Sequence, residues 1–467
     1  MNVVLIVIDT LRADTLDNTT YGRPMTPRMT ALGNQGAVFT AAYPESLPTV
    51  CVRRALHSGR RTFPFRNYFP RKGDPVQLPG WQPMAEDQPT VAEILLQAGY
   101  RTALVTDNWH LVKPSMNFLR GFTEWNLIRG QVLDFYRSRR PNWDLSPFTV
   151  DQMEGSAAVA MLQQHLANNA DRRGEQDWTP AQVFSRASDW LTENAGAGPF
   201  FLCIDSFDPH EPWDPPQRYV DQYAHGYTGK RIISPMYGPC DYLTADELAY
   251  CRALYAGEVT LVDHWLGVFL DRLEALGHGT DTLVGVISDH GISIGEHGLV
   301  GKLPWGLYPE VMTNVLMLRA PGTIPAGTRV DALVGNYDLI PTIFDLAQIA
   351  APPLDGRTLR PLITGERTRH REFVTSRFWD YVWYRDARHW YIARTDGAAP
   401  QLFDLESDPR CERNTAAAQP QVARALHARI LEDAGGELPT YGPIPVSALG
   451  APWYKQFQMN LQRGRPD

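Results

Sequence analysis

Val3-Val-Leu-Ile-Val-Ile8, closed by Asp9, is an uninterrupted apolar run, mostly β-branched, that ends in a carboxylate. Unbroken apolar character over this length marks a strand covered on both faces, as in a parallel sheet. The same unit returns further along. Thr90 to Gly99 has helical spacing through Val91, Ile94, Leu95 and Leu96, and a strand over Arg101 to Thr106 follows. Pro180 to Asn194 reads as a helix ahead of a strand at Phe200 to Asp205, and Thr244 to Leu276 as a helix ahead of Thr282 to Ile287. Helices alternating with apolar strands predict an α/β fold, a doubly wound and mainly parallel sheet flanked by helices. Ligands of such sheets sit beyond the carboxyl ends of the strands. Asp9, Asp205, Ser288, Asp289 and His290 all fall there.

A chain of 467 residues exceeds what one core usually serves. Residues 1–365 are expected to form a catalytic α/β domain and residues 366–467 a small α+β subdomain. In the latter, Glu372 to Phe378, Tyr381 to Trp383, Trp390 to Arg394 and Gln401 to Leu405 read as short antiparallel strands, with a helix near Gln419 to Glu432. The tail from Leu438, rich in Pro, Tyr and Trp, reads as an arm that could pair two copies into a homo-oligomer. Two long stretches, Pro114 to Phe148 and Asp208 to Tyr242, lack periodicity and are expected to wall a cleft with Trp125, Tyr136, Trp143, Trp213, Tyr219 and Tyr223.

A net charge of −8 argues against a nucleic-acid partner. Against that background Arg53, Arg54, Arg60, Arg61, Arg66, Arg71 and Lys72 form a positive island able to focus a small anion. The five cysteines are scattered and make no C-x-x-C pair. No leader pattern and no run of 18 apolar residues occur, so a cytoplasmic protein without a membrane partner is expected.

The densest concentration of reactive side chains is Ser288-Asp-His-Gly-Ile-Ser-Ile-Gly-Glu-His-Gly-Leu-Val-Gly-Lys302. Asp289 and His290 at a strand end offer a hard oxygen and a borderline nitrogen to a divalent cation. Asp9, at the end of the probable central strand, supplies a second carboxylate whose burial requires a partner.

With Tyr255-Ala-Gly-Glu-Val-Thr-Leu-Val-Asp263, Asp338-Leu-Ile-Pro-Thr-Ile-Phe-Asp345, Asp355-Gly-Arg-Thr-Leu-Arg-Pro-Leu362 and Leu402-Phe-Asp-Leu-Glu-Ser-Asp-Pro409, these segments resemble the sulfatase family of the alkaline phosphatase superfamily, in family order along nearly the whole chain. The resemblance implies an alkaline-phosphatase-like fold and a metal-dependent hydrolase of anionic esters. One motif departs. Sulfatases carry C-x-P-x-R-x-x-L-x-T-G, whose Cys matures to formylglycine. Here the matching stretch is Thr49-Val-Cys-Val-Arg53-Arg-Ala-Leu56-His-Ser58-Gly59. Alignment on Arg53, Leu56, Ser58 and Gly59 puts Thr49 at the nucleophile position and Cys51 at the proline, so no formylglycine is expected.

A threonine hydroxyl beside a divalent cation can still act as nucleophile. Val50 to Ser58 reads as a helix whose N-terminus favours anions, and Arg53, one turn on, can stabilise an alkoxide or anionic ester. The resemblance further implies Asp9, Thr49, Asp289 and His290 as metal ligands, with Thr10 where many relatives have another Asp. It implies His110, in Asp107-Asn108-Trp109-His110-Leu111, as a substrate contact, with Asn108 replacing a family Lys and Trp109 beside it. It implies His210, in Phe207-Asp-Pro-His-Glu-Pro212, facing the leaving group, and Lys302 on the ester oxygens. His297 reads as supporting, His57 as an exposed helix position. This reduced metal set resembles the phosphonate monoester hydrolase group.

One divalent cation is expected. Mn²⁺ is favoured, and Ca²⁺, Zn²⁺ and Mg²⁺ also suit the donors. Formylglycine hydrate sheds sulfate by collapse of a hemiacetal, which a simple alcohol lacks. A threonyl ester needs water to attack the central atom, which phosphorus accepts readily. The expected substrate is therefore a small phosphodiester or phosphonate monoester. The alternatives are a sulfatase working without formylglycine and a degenerate binding protein that has lost catalysis.

Overall fold

The apolar run at Val3 becomes the centre of an eight-stranded sheet. Its strands, in chain order, are β1 (Asn2–Ile8), β2 (Ala37–Phe39), β3 (Arg101–Thr106), β4 (Glu124–Leu127), β5 (Phe200–Ser206), β6 (Thr282–Ser288), β7 (Leu316–Arg319) and β8 (Thr328–Val330). They lie in the order β8-β2-β7-β6-β1-β5-β3-β4 in this computed structural model, which describes residues 1–16, 23–68, 78–113, 115–138 and 143–441. Every residue of β1, β5 and β6 is buried, as continuous apolar strands require. The sheet is mainly parallel; β7 alone runs antiparallel to both its neighbours, β2 and β6.

Alternation along β1 divides the core. Val4, Ile6 and Ile8 pack on one face with Val183, Phe184, Val259 and Leu266, from helices Thr179–Glu193 and Ala245–Ala275. Val3, Leu5 and Val7 pack on the other with Val52, Leu56, Leu339 and Ile343, from helices Val50–Ser58 and Leu339–Leu346. Thr90 with Glu93 and Thr244 with Glu247 form capping boxes that fix where helices Val91–Gln97 and Ala245–Ala275 begin.

The C-terminal region is an antiparallel meander, β9 (Phe373–Phe378), β10 (Tyr381–Asp386), β11 (His389–Arg394) and β12 (Gln401–Asp404), covered by helix Pro420–Asp433. Leu47 N–H donates to Arg377 O at 2.9 Å, tying this sheet to the segment just before Thr49. Most of the tail proposed to join two copies lies outside the described residues.

Candidate active site

Parallel register sets Ile8 opposite Ser288, so Asp9 and Asp289 leave β1 and β6 side by side. His290 follows, and one ligand atom each from Asp9, Asp289 and His290 lies within 4.8 Å of the others, all three residues buried. Asn314 Nδ2 donates to the carbonyls of Ser288 and Asp289 at 2.7 and 2.8 Å, holding this strand end. Any side chain at position 291 would overlap the Glu310 carbonyl oxygen, so the turn after His290 requires glycine. Thr10 adopts φ 59° and donates its N–H to Asp289 Oδ1 at 2.8 Å and its hydroxyl to Asp9 Oδ1 at 2.6 Å. It thus bridges the two carboxylates.

Arg53 is fully buried among three of them. Nε and Nη2 donate to Asp205 at 2.8 and 2.9 Å, and Nη1 donates to Asp289 Oδ2 at 2.7 Å. Nη1 also lies 2.9 Å from Asp9 Oδ2. Burial alone would raise the Asp9 pKa, but the Arg53 and Lys302 charges outweigh it and hold Asp9 well below the usual carboxylate range. Burial and then the Asp9 charge push Asp289 well above that range. Arg53 thus sits among three carboxyl groups gathered at the strand ends.

The donor set suits a divalent cation. His290 Nδ1 lies 2.9 Å from Gly291 O, which makes Nδ1 the protonated nitrogen and turns the Nε2 lone pair inward. Nε2 is buried without a hydrogen-bond partner, and Asp9 Oδ2 accepts no hydrogen bond but stands 2.9 Å from the Arg53 charge. Burial and the Lys302 charge keep the His290 pKa well below its ordinary value, so the ring is neutral, as a ligand must be.

Thr49 precedes helix Val50–Ser58 with φ 38° and ψ −82°, and its side chain makes no capping bond. A β-branched residue at positive φ is strained, and such strain collects at functional sites. Thr49 lines a cavity of about 70 Å³ together with His110, His210 and Lys302. Cys51 is fully buried, its Sγ 3.6 Å from Pro79 O, and does not line it. Lys302 Nζ stands 3.9 Å from Asp9 Oδ1 and 3.5 Å from Thr10 Oγ1, linking cavity and carboxylates. His210 Nδ1 donates to Glu211 O at 2.7 Å, and its ring stacks on Phe207 at 4.4 Å. Burial lowers its pKa, against the raising effect of Glu211. His110 stands edge-on to Trp81 at 4.9 Å, its pKa pushed well down by burial and then by Lys113.

Several expected residues stand outside the cavity lining or in surroundings other than their sequence suggested. Asn108 does not line the cavity; its Oδ1 accepts from His110 N at 3.1 Å and so starts the short helix Trp109–Val112. Trp109 is also outside the lining and packs against His110, Phe135 and Lys113. His57 is buried against Phe118 and Phe122, its pKa lowered to about 3 by burial. His297 stacks on Tyr308 at 3.7 Å, away from the cavity. The basic island disperses. Arg54 binds the carbonyls of Gln82 and Pro83, Arg60 that of Pro353, while Arg61 and Arg66 pair with Asp433 and Glu437. Arg71 and Lys72 lie outside the described residues. The six loop aromatics do not line the cavity: Trp213 enters the core, whereas Trp125 and Tyr136 face solvent. Edge strand β4 went unrecognised because its half-exposed residues make no apolar run.

Asp205, Glu211, Trp81 and Tyr237 were not among the expected site residues. Asp205 did carry a signal, since it closes an apolar strand as Asp9 does. Glu211 could have been found only as the neighbour of His210, and Trp81 and Tyr237 carry none.

Residues 1–349 match the family described as Sulfatase, and residues 295–434 the one described as N-sulphoglucosamine sulphohydrolase, C-terminal. An arylsulfatase of Clostridium perfringens is 24% identical over 88% of this chain and 89% of its own length. A choline-sulfatase of Rhizobium meliloti is 27% identical over 87% and 81%. Among solved structures, a phosphonate monoester hydrolase of Agrobacterium radiobacter superposes with a TM-score of 0.70 at 22% identity, covering 93% of this chain and 95% of that one.

Proposed function

The chain belongs to the sulfatase family and is an ester hydrolase, and from that premise we propose that Thr49 is its nucleophile and a phosphodiester or phosphonate monoester its substrate. The observation that supports this is that Thr49, strained at φ 38° and making no capping bond, lines the cavity beside His110, His210 and Lys302.

The family is generally metal-dependent, and Asp9, Asp289 and His290, with the Thr49 hydroxyl, would hold one divalent cation. One nitrogen among hard oxygens favours Mn²⁺. A cation bound there lowers the hydroxyl pKa and offsets charge on the ester oxygens. Arg53 keeps the carboxylates apart and pointed inward. Thr49 Oγ gives its proton to solvent and attacks phosphorus, the bond to the leaving oxygen breaks, and Lys302 supplies the proton that oxygen takes. Water then attacks phosphorus from the vacated side, and the Thr49 oxygen departs and regains a proton. An alcohol has no route to shed the group by internal collapse, so the intermediate must be cleared at its central atom, which favours phosphorus over sulfur. No described helix is long and apolar enough to cross a membrane, and the five cysteines are free thiols, which suits a reducing cytoplasm.

The test is Thr49→Ala assayed with Mn²⁺ on aryl phosphodiester, phosphonate and sulfate esters. Loss of about 10³-fold or more in kcat is expected. Full activity in the variant refutes the nucleophile, and a sulfate ester turned over fastest by the parent protein refutes the substrate preference.

A further inference from the structure

We infer that the group the ester carries away from the reacting atom is a single apolar ring without negative charge, and that a sugar or a second anionic group is excluded. This rests on the proposed hydrolase reading and concerns the outer half of the same cavity.

The polar side chains of the lining are Thr49, His110, His210, Lys302, Glu211, Ser234 and Tyr237, of which the Ser234 hydroxyl already donates to Ala158 O and the Tyr237 hydroxyl to Glu211. The remaining wall is supplied largely by Trp81, Val132, Leu133, Met161, Phe207 and Phe378, which come from five separate segments of the chain. Of these, Trp81, Val132, Phe207 and Phe378 are buried. Burial of an apolar substituent against such walls is favourable by about 25 cal/mol per Å². Hydroxyls stripped of water there would lose hydrogen bonds that hydrocarbon cannot replace.

Charge sharpens the choice. Apart from Lys302 and the two histidines, the described lining has no basic side chain. It does have Glu211, buried and accepting a hydrogen bond from the Tyr237 hydroxyl. A second anionic group on the substrate would face that carboxylate with no cation to offset it. Size points the same way. A cavity of about 70 Å³ holds roughly five waters, which is the scale of one ring and not of an oligosaccharide.

The test uses non-hydrolysable anions on the full chain with Mn²⁺, so that binding is read without turnover. Phenylphosphonate, methylphosphonate, 4-carboxyphenylphosphonate and glucosamine 6-sulfate would be titrated by calorimetry. Phenylphosphonate is expected to bind at least tenfold tighter than each of the others. Met161→Gln, which keeps the volume but adds a polar amide, should cut that preference over methylphosphonate several-fold. Equal or tighter binding of the sugar sulfate or the carboxylated ring overturns the inference. A protein that prefers phenylphosphonate yet hydrolyses no ester would sink the hydrolase reading and leave this one standing.

Discussion

Arg53 and Asp205 meet fork to fork, Nε and Nη2 donating to the two carboxylate oxygens at 2.8 and 2.9 Å with neither side chain exposed. This pair fixes the plane of the guanidinium, leaving Nη1 free to reach Asp289 and Asp9. Asp205→Ala would leave a buried cation without its bidentate partner, so a loss of about 3–5 kcal/mol in folding stability is expected. Urea unfolding measures it. A variant as stable as the parent would mean that the other two carboxylates orient Arg53 unaided.

Thr49 sits at φ 38°, where glycine is less strained than a β-branched residue. Thr49→Gly should therefore raise stability by about 1 kcal/mol while abolishing ester hydrolysis, the reverse of the usual cost of a Gly substitution. Thermal melting and an activity assay on one preparation test both halves. A destabilised glycine variant would show that the surrounding turn already accommodates the threonine.

Removal of divalent cations should loosen the protein through Asp9, Asp289 and His290, whose buried ligand atoms converge within 4.8 Å. Adding Mn²⁺ to chelator-treated protein at 100 times its Kd is expected to add about 2.7 kcal/mol, read as a rise in Tm. His290→Ala should lose most of that response. A variant responding as the parent does would place the cation elsewhere.

Burial pushes the Glu310 carboxyl up to about 7 from its ordinary 4.5, although Ser293 Oγ donates to Oε1 at 2.8 Å. The folded state thus binds this proton more tightly than the unfolded chain between those two values. Its stabilising effect is complete below pH 4.5, declines as pH rises through 7, and is gone above. Glu310→Gln keeps the shape without the charge. Its stability relative to the parent should climb across that window, by about 1–3 kcal/mol in total, then level off. Urea midpoints from acid to mildly alkaline pH follow this directly, and a constant difference would contradict it.

Much of the fold could be read along the chain because its causes are local. An unbroken apolar run such as Val3 to Ile8 has only one economical place, the middle of a sheet, and Thr90 with Glu93 or Thr244 with Glu247 fixes a helix start within one turn. The antiparallel direction of β7 and the edge strand β4 were not legible, since β7 takes its direction from pairing with distant β2 as well as β6, and the half-exposed residues of β4 make no pattern.

The site divides along the same line. That Asp9, Asp289 and His290 stand at strand ends follows from hydrophobic periodicity, and that Thr49 opens a helix follows from the run after it. Only the folded chain decided that Arg53 lies between three carboxylates, while its basic neighbours point outward to carbonyls and surface acids. It also decided that Thr49 faces the cavity while Cys51, two residues on, turns into the core. The reason is angular. Adjacent positions on a helix diverge by about 100° each, so composition can crowd charges or nucleophiles together in sequence, and packing chooses which one meets the substrate.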